Sequence, residues 1–206
     1  MHKSQVDWTV LLIGGLSGVG KSMVTRQIGL RFGVPWLEVD DLRLAFQYSH
    51  VTLPQRTQDL YFFTDTPNVW QMMPERLCDG LIATGEVMSP AIEIVVANHC
   101  DNAGSVIVEG DGILPALFAR PLMYQYRASG QVKGVFLVEQ DEELLFANMA
   151  ARSRGIAERP VSELHTEAHA KWLYGQWLIE QAYLYTLPVL EPRPWETLVE
   201  RMIALF

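Results

Sequence analysis

The sequence predicts an α/β chain built in three layers, with a mainly parallel five-stranded sheet between two layers of helices. Two observations lead there. Short apolar runs bounded by turn residues or charge recur along the chain, and longer helical stretches separate them. The first run also ends in a glycine-rich turn that opens directly into a helix.

Residues 9–13 form that first run, β-branched and leucine-rich with no polar alternation, which predicts a strand buried on both faces. Residues 36–39, 106–108, 135–138 and 187–190 supply four more strands of the same kind. Helices are predicted over 21–32, 41–48, 68–102 with a break near Gly85, 141–152, 162–185 and 195–205. In the fifth, Leu164, Ala168, Trp172, Ile179 and Ala182 recur at helical spacing, and Pro188 follows where the helix has stopped. No repeat, low-complexity tract or linker interrupts the chain, so residues 1–206 are expected to form one domain, with a lid segment at about 152–160.

At 49% hydrophobic, the 206 residues can fill one core without disulfides or structural metals. A formal charge of -8 argues against a partner bound through its phosphate backbone, so no nucleic acid is expected. Cys78 and Cys100 are too far apart for a CxxC motif and read as packing residues of a reducing compartment. The N-terminal run is short and broken by Asp7 and two glycines, unlike a secretory signal. Glu93, His99 and Asp101 interrupt the most apolar helix, which predicts no membrane span. A cytoplasmic protein is expected.

Gly15-Leu16-Ser17-Gly18-Val19-Gly20-Lys21-Ser22 matches G-x-x-x-x-G-K-[ST] in full, at the strand-to-helix junction where a P-loop must sit. Glycines let the backbone curl until successive N–H groups face phosphate oxygens, and the start of the next helix adds its dipole. Lys21 would bridge the β- and γ-phosphates of ATP, and the Ser22 hydroxyl would ligate Mg²⁺. The fold expected is therefore a P-loop NTPase of the nucleoside- and shikimate-kinase-like kind. None of Asn68, Asn98, Asn102 or Asn148 starts an N-K-x-D segment, which disfavours a switch GTPase. The strand 106–108 leads to Glu109-Gly110-Asp111 rather than adjacent Asp-Glu, which disfavours motor-type ATPases. Compact kinases that phosphorylate a small-molecule acceptor remain.

Asp40, Asp41 and Arg43 follow the second strand, at the carboxyl edge of the sheet where ligands bind. Asp40 could accept the proton of an attacking hydroxyl, and Arg43 could hold an anionic acceptor. Asp41 either joins them or caps the next helix. Glu109, after a purely aliphatic strand, would hold Mg²⁺ through water or a substrate group, and Asp111 either binds substrate or shapes the Gly110–Gly112 turn. Arg152 and Arg159 flank a breaker-rich segment and would close over the transferred phosphoryl as a lid. His165 and His169 share a helix face but lack a third ligand, and Trp172 and Trp177 read as core or interface residues.

Taken together, the chain resembles the 2-phosphoglycerate kinase-like branch of the P-loop kinases. The resemblance rests on residues 12–22, on Asp40-Asp41-Leu42-Arg43, and on Val106-Ile107-Val108-Glu109-Gly110 followed by Leu114-Pro115. Gly112 stands where that family's E-G-x-H-x-x-P segment has its histidine. The resemblance implies transfer of a phosphoryl group to a hydroxyl of a small, already phosphorylated or carboxylated acceptor. A nucleoside or nucleotide kinase and a nucleotide-gated binding module are the alternatives.

Overall fold

The computed structural model describes residues 6–53, 56–151 and 159–206. Five strands form one sheet in the order β2-β3-β1-β4-β5. They are β1 (Val10–Gly15), β2 (Trp36–Glu38), β3 (Val106–Glu109), β4 (Val132–Leu137) and β5 (Val189–Leu190), and every pairing is parallel. All six residues of β1 are buried, as its unbroken apolar run requires of a strand covered on both faces. Register decides where the chemistry lies. Ile13 pairs with Glu109, and Glu109 pairs with Glu38, so three chain segments deliver their ends to one edge of the sheet.

Helix α1 (Lys21–Phe32) matches its predicted bounds and packs on β1, β2 and β3 together with the last helix, α9 (Trp195–Ile203). The other group comprises α5 (Pro74–Asp101), α6 (Pro121–Ala128) and α8 (Val161–Leu184), which pack on one another and on β1 and β4. Between β4 and α8, α7 (Glu142–Ala151) starts on Asp141, whose Oδ1 accepts from the backbone N–H groups of Glu143 and Leu144 at 2.9 and 3.1 Å.

Four expectations need correction. β2 stops at Glu38, because Val39 already begins α2 (Val39–Tyr48) and buries its side chain at the sheet edge. The long helix does not break at Gly85. A Cβ there would lie 2.8 Å from the Leu114 side chain, so this glycine permits close packing inside a continuous α5. Three short helices lacked a readable apolar period: α3 (Thr57–Leu60), α4 (Phe62–Asp65) and α6. Finally, α5 is long and apolar enough to cross a membrane by length and composition, with a window of mean hydropathy 1.5, contrary to the reading of its charges as interruptions. In the fold it packs on α3, α6 and α8, and its buried Glu93 accepts from Arg120 Nε at 2.6 Å.

Candidate phosphate and acceptor site

The loop between β1 and α1 owes its path to glycines at two positions above all. Gly15 has φ 128°, and a Cβ there would lie 2.0 Å from the carbonyl oxygen of Leu137. Gly20 has φ 84° and faces the Trp195 ring, which a Cβ would approach to 2.5 Å. Gly20 is also the N-cap of α1, and no side chain caps that helix and no acidic residue occupies its first turn. The uncapped N–H groups and the positive end of the helix dipole therefore face the loop.

Lys21 is 6% exposed, and its Nζ donates to the Leu16 carbonyl at 2.8 Å and to Asp111 Oδ1 at 2.5 Å. Asp111 is itself steadied by Tyr174 of α8, whose hydroxyl donates to the Asp111 carbonyl at 2.7 Å. Ser22 Oγ donates to Glu109 Oε1 at 2.5 Å. Burial pushes the Glu109 carboxyl above its ordinary pKa, Lys21 and the Ser22 hydroxyl oppose that shift, and Glu38 and Asp111 reinforce it. Glu109 is thus a buried carboxylate with too little positive charge around it.

These groups line a cleft of about 240 Å³ that also takes in Ser17, Gly18, Glu38, Asp40, Met149 and Arg159. Asp40, Asp111, Glu167 and Lys171 line both this cleft and a second cavity of about 250 Å³. Arg43 belongs to the second cavity, where its Nη2 donates to Asp40 Oδ1 at 3.1 Å and its Nη1 to Gln47 Oε1 at 3.2 Å. Asp40 consequently stands between phosphate cleft and second cavity, in the first turn of α2 rather than at a strand exit.

Most of the predicted site residues converge, but Gly15, Leu16, Val19 and Gly20 line neither cavity, Leu16 and Val19 being fully buried, and two others among those described depart from their expected roles. Asp41 is exposed and lines neither cavity, and it does not cap α2, which begins two residues earlier. Asp111 binds the loop lysine as well as lining the second cavity. Arg159 lies at the cleft, with Nη1 donating to Glu167 Oε2 at 2.7 Å and its guanidinium 4.6 Å over the Trp70 ring. Its Nε and Nη2 are buried without a hydrogen-bond partner among the described residues. Arg152 and most of the lid segment lie outside the described residues.

Sequence reasoning missed Glu167 and Lys171 of α8. Lys171 Nζ donates to Glu167 Oε1 at 2.6 Å. Burial alone would raise the Glu167 carboxyl, but the charges and hydrogen bonds of Lys171 and Arg159 outweigh it and hold the group below its ordinary pKa. Both residues sit four apart on a helix with an ordinary surface pattern, so only the packing of α8 against α5 and β4 makes them part of the cleft. His169 lies 3.0 Å from Glu142 and His165 stacks on Phe146, so neither reaches the cleft. Trp172 and Trp177 also stay outside it: Trp172 Nε1 donates to the Gln140 carbonyl and Trp177 stacks on Tyr174. Burial raises both cysteine thiols to about 11, so they stay protonated near neutrality.

A divalent cation in this cleft would have to draw on few protein ligands, because no group of three His, Cys, Asp or Glu side chains converges among the described residues. That donor set fits Mg²⁺, which keeps several waters and takes one or two protein oxygens plus phosphate oxygens. Among the oxygens lining the cleft, the hydrogen-bonded Ser22 hydroxyl and Glu109 carboxyl, beside the loop lysine, are the pair that would hold it.

No protein-family model matches the chain. Among curated proteins it is similar to the 2-phosphoglycerate kinase of Methanocaldococcus jannaschii, 26% identical over 194 residues that cover 88% of this chain and 58% of that protein. It is also similar to the 2-phosphoglycerate kinase of Methanopyrus kandleri, 24% identical, covering 98% of this chain and 62% of that protein. The chain spans about three fifths of the length of the curated relatives it matches. Among solved structures, shikimate kinase from Bacteroides thetaiotaomicron aligns with a TM-score of 0.51 at 17% identity, over 96% of this chain and 97% of that one. Shikimate kinase from Acinetobacter baumannii, in complex with shikimate, aligns at 0.51 and 12% identity, over 97% and 93%. The fold is that of the three-layer α/β/α P-loop NTPases, and the sequence resembles the 2-phosphoglycerate kinase branch.

Proposed function

We propose that this protein is an ATP- and Mg²⁺-dependent phosphotransferase that moves the γ-phosphoryl group to a hydroxyl of a small acceptor. The observation that carries this reading is the adjacency of two cavities across Asp40. One is lined by the loop, Lys21 and the Ser22–Glu109 pair, and the other is closed by α2, α5 and α8. A protein that only senses a nucleotide needs the first cavity; the second, with a carboxylate at the junction, suits an acceptor.

In this mechanism the uncapped amides of α1 and Lys21 bind the phosphates, with Lys21 exchanging Asp111 for a phosphate oxygen. Ser22 and Glu109 would hold Mg²⁺, which would supply positive charge against the phosphate oxygens. Asp40 orients the acceptor hydroxyl and takes its proton. Arg159, whose Nε and Nη2 make no hydrogen bond among the described residues, neutralises charge on the transferred group and helps exclude water. Arg152 is assigned the same role from sequence alone. The named relatives are 2-phosphoglycerate kinases, which supports a phosphoryl acceptor of small size.

The test is ATP consumption with Mg²⁺ against pools of small alcohols, each followed by mass for the gain of one phosphate. A product that vanishes in Lys21→Ala is expected. Tight ATP binding with no product in any pool would replace this reading with that of a nucleotide-gated module.

A further inference from the structure

The second cavity differs in chemistry from the phosphate cleft beside it. One wall is apolar, formed by Leu60, Phe63, Trp70, Leu81 and Met88, with Phe63 and Trp70 stacked at a centroid separation of 5.5 Å. The charged lining comprises two cations, Arg43 and Lys171, against three carboxylates, Asp40, Asp111 and Glu167.

The two cations are not equally available to a ligand. Lys171 and Glu167 have side chains only 13% and 11% exposed, and Glu167 also holds Arg159. Drawing Lys171 away would leave a buried carboxylate short of compensation, which is costly. Arg43 is paired three residues along its own helix with Asp40, whose side chain is 57% exposed. Ion pairs of that kind contribute little and exchange readily with a ligand. One anionic group can therefore be taken at Arg43, whereas a second would face the cavity's carboxylates with no free cation among the described lining residues. A phosphorylated acid would bring about three negative charges near neutral pH.

We infer that the acceptor is a singly charged carboxylated alcohol with an apolar face, its carboxylate on the Arg43 fork and its body against the Phe63–Trp70 wall. The inference rests on the phosphotransfer reading and gives the Asp40–Arg43 pair a purpose. A carboxylate that takes Arg43 releases Asp40, which then accepts the hydroxyl proton as the hydroxyl oxygen bonds to the γ-phosphorus and the bond from that phosphorus to the β–γ bridging oxygen breaks, leaving ADP. Acceptor binding and activation of the base become one event.

The experiment uses mandelate, 3-phenyllactate and 2-hydroxyisocaproate as apolar hydroxy acids, their methyl esters, and glycerate and 2-phosphoglycerate as polar comparators. Binding is measured by calorimetry in the presence of Mg²⁺ and a non-hydrolysable ATP analogue, and product by mass with ATP. At least one apolar hydroxy acid should bind about tenfold or more tighter than either comparator, and lose roughly 10- to 100-fold on esterification or in Arg43→Met. Phe63→Ala should weaken that acid and leave glycerate unchanged. Tighter binding of 2-phosphoglycerate, no binding by any apolar acid, or indifference to Arg43→Met would overturn the inference. Binding in the expected order without product would retain it and discard phosphotransfer; product from 2-phosphoglycerate in preference to every apolar acid would do the reverse.

Discussion

The two sides of the cleft carry buried carboxylates in opposite electrostatic states. Glu109, on the phosphate side, has its pKa raised by burial that Lys21 and Ser22 do not offset. Glu167, where the cleft meets the second cavity, is also buried but has Lys171 and Arg159 on it, and its pKa is lowered. Glu109 is short of positive charge and would gain from a cation, whereas Glu167 is already paired, and an acceptor would be selected by shape and by one displaceable arginine. Two adjoining cavities would thus bind a highly charged donor and discriminate against a highly charged acceptor.

The largest expected effect tests the phosphate side. Lys21→Met should lower kcat/KM by about 10³-fold or more for every acceptor alike, since its charge acts on the phosphoryl group common to all of them. A loss confined to one acceptor would break the division between the two sides. Asp40→Asn, at the junction, should lower kcat by roughly 10²-fold with ATP affinity measured by calorimetry nearly unchanged, and unaltered turnover would remove Asp40 as the base.

Smaller effects separate the two carboxylates by sign. Glu167→Gln should destabilise the protein at pH 7 by roughly 1 to 3 kcal/mol in denaturant unfolding, because two cations lose their partner. A lowered carboxyl pKa contributes stability that is present above the ordinary value of 4.5 and is lost as pH falls through the folded value, so the difference from wild type should shrink in acid. Glu109→Gln should do the opposite. A raised carboxyl pKa costs stability as pH rises through the folded value, so this variant should melt higher than wild type at pH 7 without Mg²⁺ or nucleotide and converge with it toward pH 4.5. An increase in Tm for both variants, or a decrease for both, would erase the contrast.

The glycine loop was legible because its residues are contiguous. A strand, a glycine loop and a helix start are neighbours in the chain, and the bounds of α1 follow from the sequence alone. The acceptor side is assembled from α2, α3, α4, α5 and α8 and from the 3₁₀ turn Val69–Gln71, segments up to about 130 residues apart. Its aromatic wall comes from Phe63 and Trp70, in short elements too small to show a period. The helix break assigned to Gly85 failed for a related reason: a glycine that relieves a tertiary clash with Leu114 looks, in sequence, like one that ends a helix.

By itself the sequence determined the parallel α/β architecture and the strand, glycine loop and helix that carry Lys21 and Ser22, and it singled out Glu109, because periodicity and local backbone geometry act over a few residues. Only the tertiary structure decided that Asp111 pairs with Lys21, that Asp41 turns to solvent while Asp40 faces the cleft, and that Glu167 holds Lys171 and Arg159 beside an apolar cavity. Those facts depend on how helices are rotated and seated against the sheet. Packing of the whole core sets that rotation, and no local spacing encodes it.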